Sequence, residues 1–401
     1  MPKSRGRKRK ANRNAPRRGH PESVSAMKAR AVADLPVLRA TDRAEARGDA
    51  VATLELIEQD LADREDEYFW RPDRLRRLWQ LAFFGRLLPR WATSRWILGQ
   101  AAQSLDSRSR QRVRKAIEIA LAMRGGEALA ESASIDVRTR VIDHDWVFRQ
   151  LLLYEYGGLQ DFVARFASAK LLSGADLIHE WARAPMGGFR FVRECRRTLV
   201  WEDLSTNAEL ESLNLGAASL LDQGECALGR LVPIEGGAMF ETGPLRVPES
   251  LARCVALDPT GWVAALSAEC QRQHGEAPWI VTEVDRFDLL TDVPPGAQQM
   301  VARAVAGRTE EQVTHAIDPD PGAELTALVR AALNDQVNER DPGVSPWPAA
   351  AAALLDPGVF IAIAETVVPT DQASFERLSR LLPAPADALC RQIAHDLERA
   401  A

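Results

Sequence analysis

Apolar residues recur at helical spacing through most of the chain and give way to short alternating runs in one central stretch. Residues 25–62 read as two helices parted near Gly48, with Ala44, Val51, Leu54, Ile57 and Leu61 forming an apolar stripe. Residues 69–123 continue the helical period. There Trp70, Trp79, Phe83, Phe84, Trp91 and Trp96 are spaced to share a buried face, and Val113, Ile117 and Leu121 extend it. A loop is expected over residues 125–140. Asp145 then stands immediately before an apolar run, where its carboxylate can accept from the exposed amides of a first helical turn. That helix should reach Tyr156 and break at Gly157 and Gly158. Two further helical stretches, parted at Gly174, fill residues 159–184.

Beyond Pro185 the texture changes. Short apolar runs at residues 189–192, 198–201, 210–215, 226–232 and 238–241 alternate with turn residues, which is the pattern of strands. In the best local signal, residues 232–240, Glu235, Gly236 and Gly237 sit between two apolar arms and suit the positive dihedrals of a hairpin. Strands this short can form a small barrel-like module or a curled antiparallel sheet. Helical spacing returns at residues 249–255 and 262–273, and residues 279–284 read as a strand. Helices follow at residues 297–306, 309–317, 323–334, 348–368 and 374–400, the last broken at Pro383 and Pro385. The fold class expected is α+β, mainly α. A chain of 401 residues exceeds the roughly 250–300 at which a single core stops growing. Four regions are expected: a disordered basic tail (1–24), a helical domain (25–184), a β-rich module (185–292) and a helical C-terminal region (293–401).

The stretch from Ala44 through Gly48 and Asp49 to Ala50, followed by Val51 to Leu56, resembles the inter-helix turn of a tetratricopeptide-type hairpin. The resemblance covers one unit. No matching Gly-Asp-Ala turn recurs about 34 residues later, near Ala82 to Leu88, so a helical hairpin is expected and a solenoid is not.

Charge is segregated along the chain. The net charge is -5, yet residues 1–140 hold 30 Lys and Arg against 18 Asp and Glu, while the remainder holds 21 against 38. A basic leading end attracts polyanions, and nucleic acid is the obvious one. Residues 2–20 carry Lys3, Arg5, Arg7, Lys8, Arg9, Lys10, Arg13, Arg17 and Arg18 without an acidic residue. With so little apolar surface to bury, this tail cannot offset the entropy of ordering. Two more basic clusters fall on expected helices: Arg71, Arg74, Arg76 and Arg77, then Arg108, Arg110, Arg112, Arg114 and Lys115. Both are candidates for nucleic-acid contact. The competing reading is a solvated helix face whose charges pair within the chain, as the nearby run Glu65, Asp66, Glu67 suggests.

Candidate chemistry is sparse. The chain lacks a dinucleotide or phosphate-binding glycine loop, a His-Glu-x-x-His motif, a nucleophile elbow and a Cys-x-x-Cys pair. No Lys follows Lys170, which excludes lysine Schiff-base chemistry from the rest of the chain. Cys195, Cys226, Cys254, Cys270 and Cys390 are odd in number and scattered, unlike a disulfide framework. Asp143, His144 and Asp145 suit capping and turn roles better than a metal site. The group Glu283, Asp285, Asp288 and Asp292 reads as solvated surface. No catalytic residue, metal or cofactor is assigned. No apolar stretch reaches the ~20 residues of a membrane span, and no secretory-type apolar stretch follows the basic start, so a cytoplasmic location without membrane contact is expected. The functional expectation is a non-enzymatic binding or scaffold protein. Its tail would meet nucleic acid or another polyanion, and its β-rich module a protein or small-molecule partner. The rivals are an enzyme whose carboxylates converge only in three dimensions, through Asp143 with His144 or Glu283 with Asp285, and a structural adaptor with an incidental tail.

Overall fold

A computed structural model describes residues 36–63, 70–108, 110–272, 288–307, 321–337 and 344–400. The tail, with Lys3, Arg5, Arg7, Lys8, Arg9, Lys10, Arg13, Arg17 and Arg18, lies outside the described residues. So do the strand expected at 279–284, the helix expected at 309–317, and Glu283 and Asp285.

The described residues begin with a hairpin of α1 (Pro36–Ala46) and α2 (Ala50–Asp63), turned at Gly48, whose φ of 74° is open to a residue without Cβ. It continues through α3 (Pro72–Phe84), α4 (Arg90–Arg108) and α5 (Arg110–Ser132), the last kinked at Gly125 and Gly126. The loop expected over 125–140 is largely helical instead. After the kink α5 resumes, and α6 (Ile135–His144) starts where the Ser134 side chain accepts from the Val137 amide at 3.3 Å. Buried Val141 and half-buried Val137 supply the apolar contact that holds this helix down. Asp145 caps α7 (Trp146–Gln150) through the Phe148 amide at 2.7 Å. The helix then widens into a π-type turn over Leu151–Glu155 and stops at Gly157, whose φ is 67°. Short helices α8 (Gly158–Arg165), α9 (Ala169–Gly174) and α10 (Ile178–Trp181) lead into the sheet.

The sheet strands are β1 (Gly187–Cys195), β2 (Thr198–Asp203), β3 (Ala208–Leu213), β4 (Cys226–Gly229) and β7 (Leu245–Val247), ordered β3-β2-β1-β4-β7 and antiparallel throughout. The hairpin of β5 (Leu231–Ile234) and β6 (Gly237–Phe240) forms a separate ribbon in which Ile234 faces Gly237 across the turn at Glu235 and Gly236. Of the two arrangements expected for this module, the curled antiparallel sheet is the one formed. Among the described residues it does not close into a barrel, because β3 and β7 remain edges. Glu209 and Glu211 on the β3 edge discourage pairing with another strand. One face is sealed by Phe189, Phe191, Trp201 and Phe240, with Trp201 and Phe240 edge to face at 4.9 Å.

Helices α11 (Glu249–Leu257) and α12 (Trp262–Arg272) back the sheet together with α5 and α7 in one apolar cluster. The C-terminal helices are α13 (Pro295–Val305), α14 (Pro321–Leu333), α15 (Pro346–Leu354), α16 (Pro357–Ala364), α17 (Gln372–Leu381) and α18 (Ala386–Ala400). Their apolar faces share a second cluster with α2 to α4 and the β5–β6 ribbon, so the early and late helices among the described residues meet in one core. The single helix expected at 348–368 is two, α15 and α16, bent by 81° where Asp356 caps the second through the Gly358 amide at 2.9 Å. Pro357 at the first position of α16 fits this break, since it lacks the amide that a continuous helix needs. Among the described residues no single helix is long and apolar enough to cross a membrane. The β1–β2 turn anchors the sheet on the C-terminal helices: Arg197 donates to Asp387 at 2.6 Å and to the Ser379 carbonyl at 2.7 Å, and Arg196 lies over the Trp347 ring.

Candidate functional site

A cleft opens where α3, α4, α6 and α7 meet the turn after β6 and the segment before α13. It offers about 90 Å³ to the centres of water-sized molecules. Its walls carry Arg71, Asp73, Arg74 and Arg77 from the start of α3, Gly99 and Gln103 from α4, Asp143 to Trp146 from the α6–α7 junction, and Arg149. Thr242, Gly243 and Pro244 face them, with Asp288, Thr291 and Asp292 alongside. A smaller lobe behind Arg77 adds Arg76, Gln80 and Pro294.

Local sequence explains how these groups are aimed. Pro72 starts α3, and the spacing of Arg74 and Arg77 places both on the face that packs inward. Buried Arg74 donates to Glu45 at 2.9 Å and to Asp42 at 3.1 Å, while Trp96 Nε1 donates to the other Glu45 oxygen at 3.1 Å. Arg71 pairs with Asp143 at 2.8 Å, and Arg76 with Asp288 at 3.3 Å. Asp145 is held by the Arg124 Nε at 2.7 Å as well as by the α7 amide. The segment before α13 is pinned when the Asp292 amide donates to the Leu215 carbonyl at 2.6 Å and the Thr291 hydroxyl donates to the same oxygen at 3.1 Å. Gly216, at a φ of 99°, permits that approach: a Cβ there would stand 2.0 Å from a Val293 methyl.

Beneath the cleft lies a buried polar layer. Gln150 donates to Glu241 and accepts from Arg230 Nε at 2.8 Å; Arg230 also donates to Glu155 at 2.8 Å and stacks over the Tyr154 ring at 4.1 Å. Burial raises the Glu241 carboxyl above the usual range against the pull of Arg149, and burial together with Glu241 pushes the Tyr154 phenol up. Burial lowers Arg77 despite Glu45 and Asp73, and takes Arg149 down to about 10 despite Glu241. The charge on Arg77 itself contributes to the lowering of Arg149.

The structure thus brings three of the basic residues singled out in the sequence, Arg71, Arg74 and Arg77, to one cleft and Arg76 to its smaller lobe. The other cluster stands apart. Arg108 closes α4, and Arg110, Arg112, Arg114 and Lys115 are exposed at the start of α5, with Arg112 on Asp161 at 2.7 Å, Arg114 near Glu118 and Lys115 over the Tyr156 ring. Trp70, Phe84, Trp91 and Trp96 are core, whereas Trp79 and Phe83 are 45% and 38% exposed. Asp288 and Asp292, read from the sequence as solvated surface, are instead paired inside the cleft wall, because Arg76 and Arg95 reach them. Sequence reasoning missed Arg149 and Glu241. The signal for Arg149 was a lone cation within the apolar run from Trp146 to Leu153, a position that is seldom left without purpose. Among the described residues no group of three His, Cys, Asp or Glu is placed to hold a metal ion.

The double tie on Asp145 gives a measurable expectation. Asp145→Ala removes the cap of α7 and leaves Arg124 facing no carboxylate there, so unfolding free energy should fall by about 2 kcal/mol. Asp145→Asn, which can still cap, should cost less. Equal losses for the two in denaturant titrations would show that the cap contributes nothing.

No family model, curated protein or solved structure matches this chain.

Proposed function

We propose that this chain is a non-enzymatic binding protein that takes a small polar ligand in the cleft between its helical unit and its sheet. The observation that carries this reading is the cleft itself: a concavity with polar groups converging from distant parts of the chain, which is the usual form of a ligand site. Most of its carboxylates are clasped by arginines, Asp143 by Arg71, Asp145 by Arg124, Asp288 by Arg76 and Asp292 by Arg95, an arrangement better suited to holding a ligand than to moving a proton. Thermal stability of the full chain, measured against a panel of small polar compounds, tests it. A saturable rise in melting temperature with at least one compound is expected, and a panel without effect overturns the reading.

We further propose that the basic tail associates with nucleic acid or another polyanion. The charges of residues 2–20 support this, and the burial of Arg74 and Arg77 leaves the tail, rather than α3, as the basic segment to do it. Nucleic-acid affinity should fall steeply as salt rises, since each neutralised phosphate releases condensed counterions. Deleting residues 1–19 should remove most of the binding, whereas replacing Arg76 with glutamine should leave it unchanged. Full binding by the truncated chain defeats the proposal.

A further inference from the structure

We infer that this chain forms a two-fold dimer through an apolar face built from the outer side of α3 and from α16. Trp79 and Phe83 lie one turn apart on α3 and are exposed, as is Ile361 on α16, and the ring of half-buried Phe360 meets Phe83 edge to face at 5.3 Å. The four side chains make one patch rather than scattered surface residues. Every residue of α16, from Pro357 to Ala364, is apolar. A helix that is apolar all round is normally buried all round, yet here Val359 and Ile363 are buried while Ile361 and Ala364 face water. A Trp and a Phe beside them add the side chains that give up the most apolar area when covered.

The direction of the two helices and the charges at their ends point to a second copy of the chain as the occupant. Arg76 lies 3.9 Å from Asp356, Gln80 donates to the Leu355 carbonyl at 3.4 Å, and Phe84 packs on Phe360 at 5.8 Å. Thus α3 and α16 run side by side in the same direction. Just past the patch, at the same end, Arg86 follows α3 and Glu365 follows α16; both are exposed and neither is ion-paired among the described residues. A two-fold axis parallel to these helices lays α3 of each copy against α16 of the other and keeps their ends level. Arg86 of each copy then meets Glu365 of the other, so the patch carries its own complement, as an isologous interface requires.

A membrane surface fits this face less well, because a lipid-binding face asks for cations at its rim and Glu365 opposes anionic headgroups. Size sets the strength. With 13 residues in α3 and 8 in α16, the helices are about 20 and 12 Å long, which puts the contact at the small end of specific interfaces. The dimer should therefore come apart on dilution.

Sedimentation of the full chain over a wide range of concentrations tests the inference. The mass should rise from that of one chain towards that of two. Trp79→Ala should weaken association roughly thirtyfold, the loss expected of an aromatic anchor at the centre of an interface, with the circular dichroism spectrum unchanged. Arg86→Glu and Glu365→Arg should each weaken it about tenfold, since each sets like charges against one another at both symmetry-related contacts. Mixed in equal amounts, these two variants should associate with each other as the parent does with itself, because every charge then meets its opposite. Arg114→Glu, on the exposed face of α5 and outside the patch, should behave as the parent does. The mass of one chain at every concentration overturns the inference. So does a dimer untouched by Trp79→Ala, or a mixture of the charge variants that stays as weak as its components. A monomeric chain that floats with vesicles of anionic lipid, and no longer does so as Trp79→Ala, would assign the face to a membrane and equally overturn the dimer.

Discussion

Replacing Arg95 with alanine is expected to lower the free energy of unfolding by roughly 3–5 kcal/mol, the range for breaking a buried ion pair from one side. Arg95 is 0% exposed, and the Asp292 side chain it holds at 3.0 Å is 7% exposed. The same guanidinium donates to the Phe240 carbonyl at 3.0 Å and lies over the Trp91 ring, so one side chain ties α4 to the end of β6 and to the segment before α13. Without it Asp292 is a buried carboxylate whose pKa, already raised by burial, loses the group that lowers it. The pair need not be a net source of stability, since both charges must be stripped of water. The double variant Arg95→Met with Asp292→Leu should therefore recover most of the loss. Urea titrations with an unchanged slope measure both. A single variant within about 1 kcal/mol of the parent would show that the pair does not hold the cleft wall.

Gly188→Ala should be comparably damaging, at about 3 kcal/mol, the upper end of what overpacking usually costs. Gly188 lies on the central strand β1, opposite Leu228 of β4, and α11 crosses directly above it. A Cβ there would stand 1.9 Å from the Ala252 carbonyl oxygen and 2.7 Å from its carbon. These are backbone atoms, so no smaller residue on α11 relieves the contact; the whole helix must lift from the sheet. Because α11 shares its apolar cluster with α7 and α12, the lift spreads towards the floor of the cleft. Thermal and denaturant unfolding of the variant, set beside Gly224→Ala at a turn with open space but positive φ, separates steric contact from backbone strain. Gly188→Ala should be the worse of the two. A smaller effect at Gly188 than at Gly224 would place α11 further from β1 than described.

The functional reading depends on charge placement, and charge placement is where the sequence was most ambiguous. Arg71, Arg74, Arg76 and Arg77 read equally well as a surface for phosphates or as groups neutralised within the chain. The structure places them against Asp143, Glu45, Asp288 and the cleft floor. Arg110, Arg112, Arg114 and Lys115 look similar in sequence and lie exposed, because α5 turns them away from its buried face of Val113, Ile117 and Leu121.

What the sequence determined by itself was local. Hydrophobic period separated helices from strands, Asp145 marked the start of α7, Gly157 the end of the π-type turn that continues it, and Glu235 with Gly236 the tight ribbon turn. Each of these rests on contacts within a few residues, which a linear pattern records. The break between α15 and α16 is likewise marked locally by Asp356 and Pro357, whereas the open rather than barrelled sheet and the cleft were decided by tertiary structure alone. The pairs that build the cleft join residues far apart in the chain, 29 positions for Arg74 with Glu45 and 197 for Arg95 with Asp292. Periodicity shows which face of an element is buried, but a charge finds its partner only when distant elements pack, and no local pattern carries that distance.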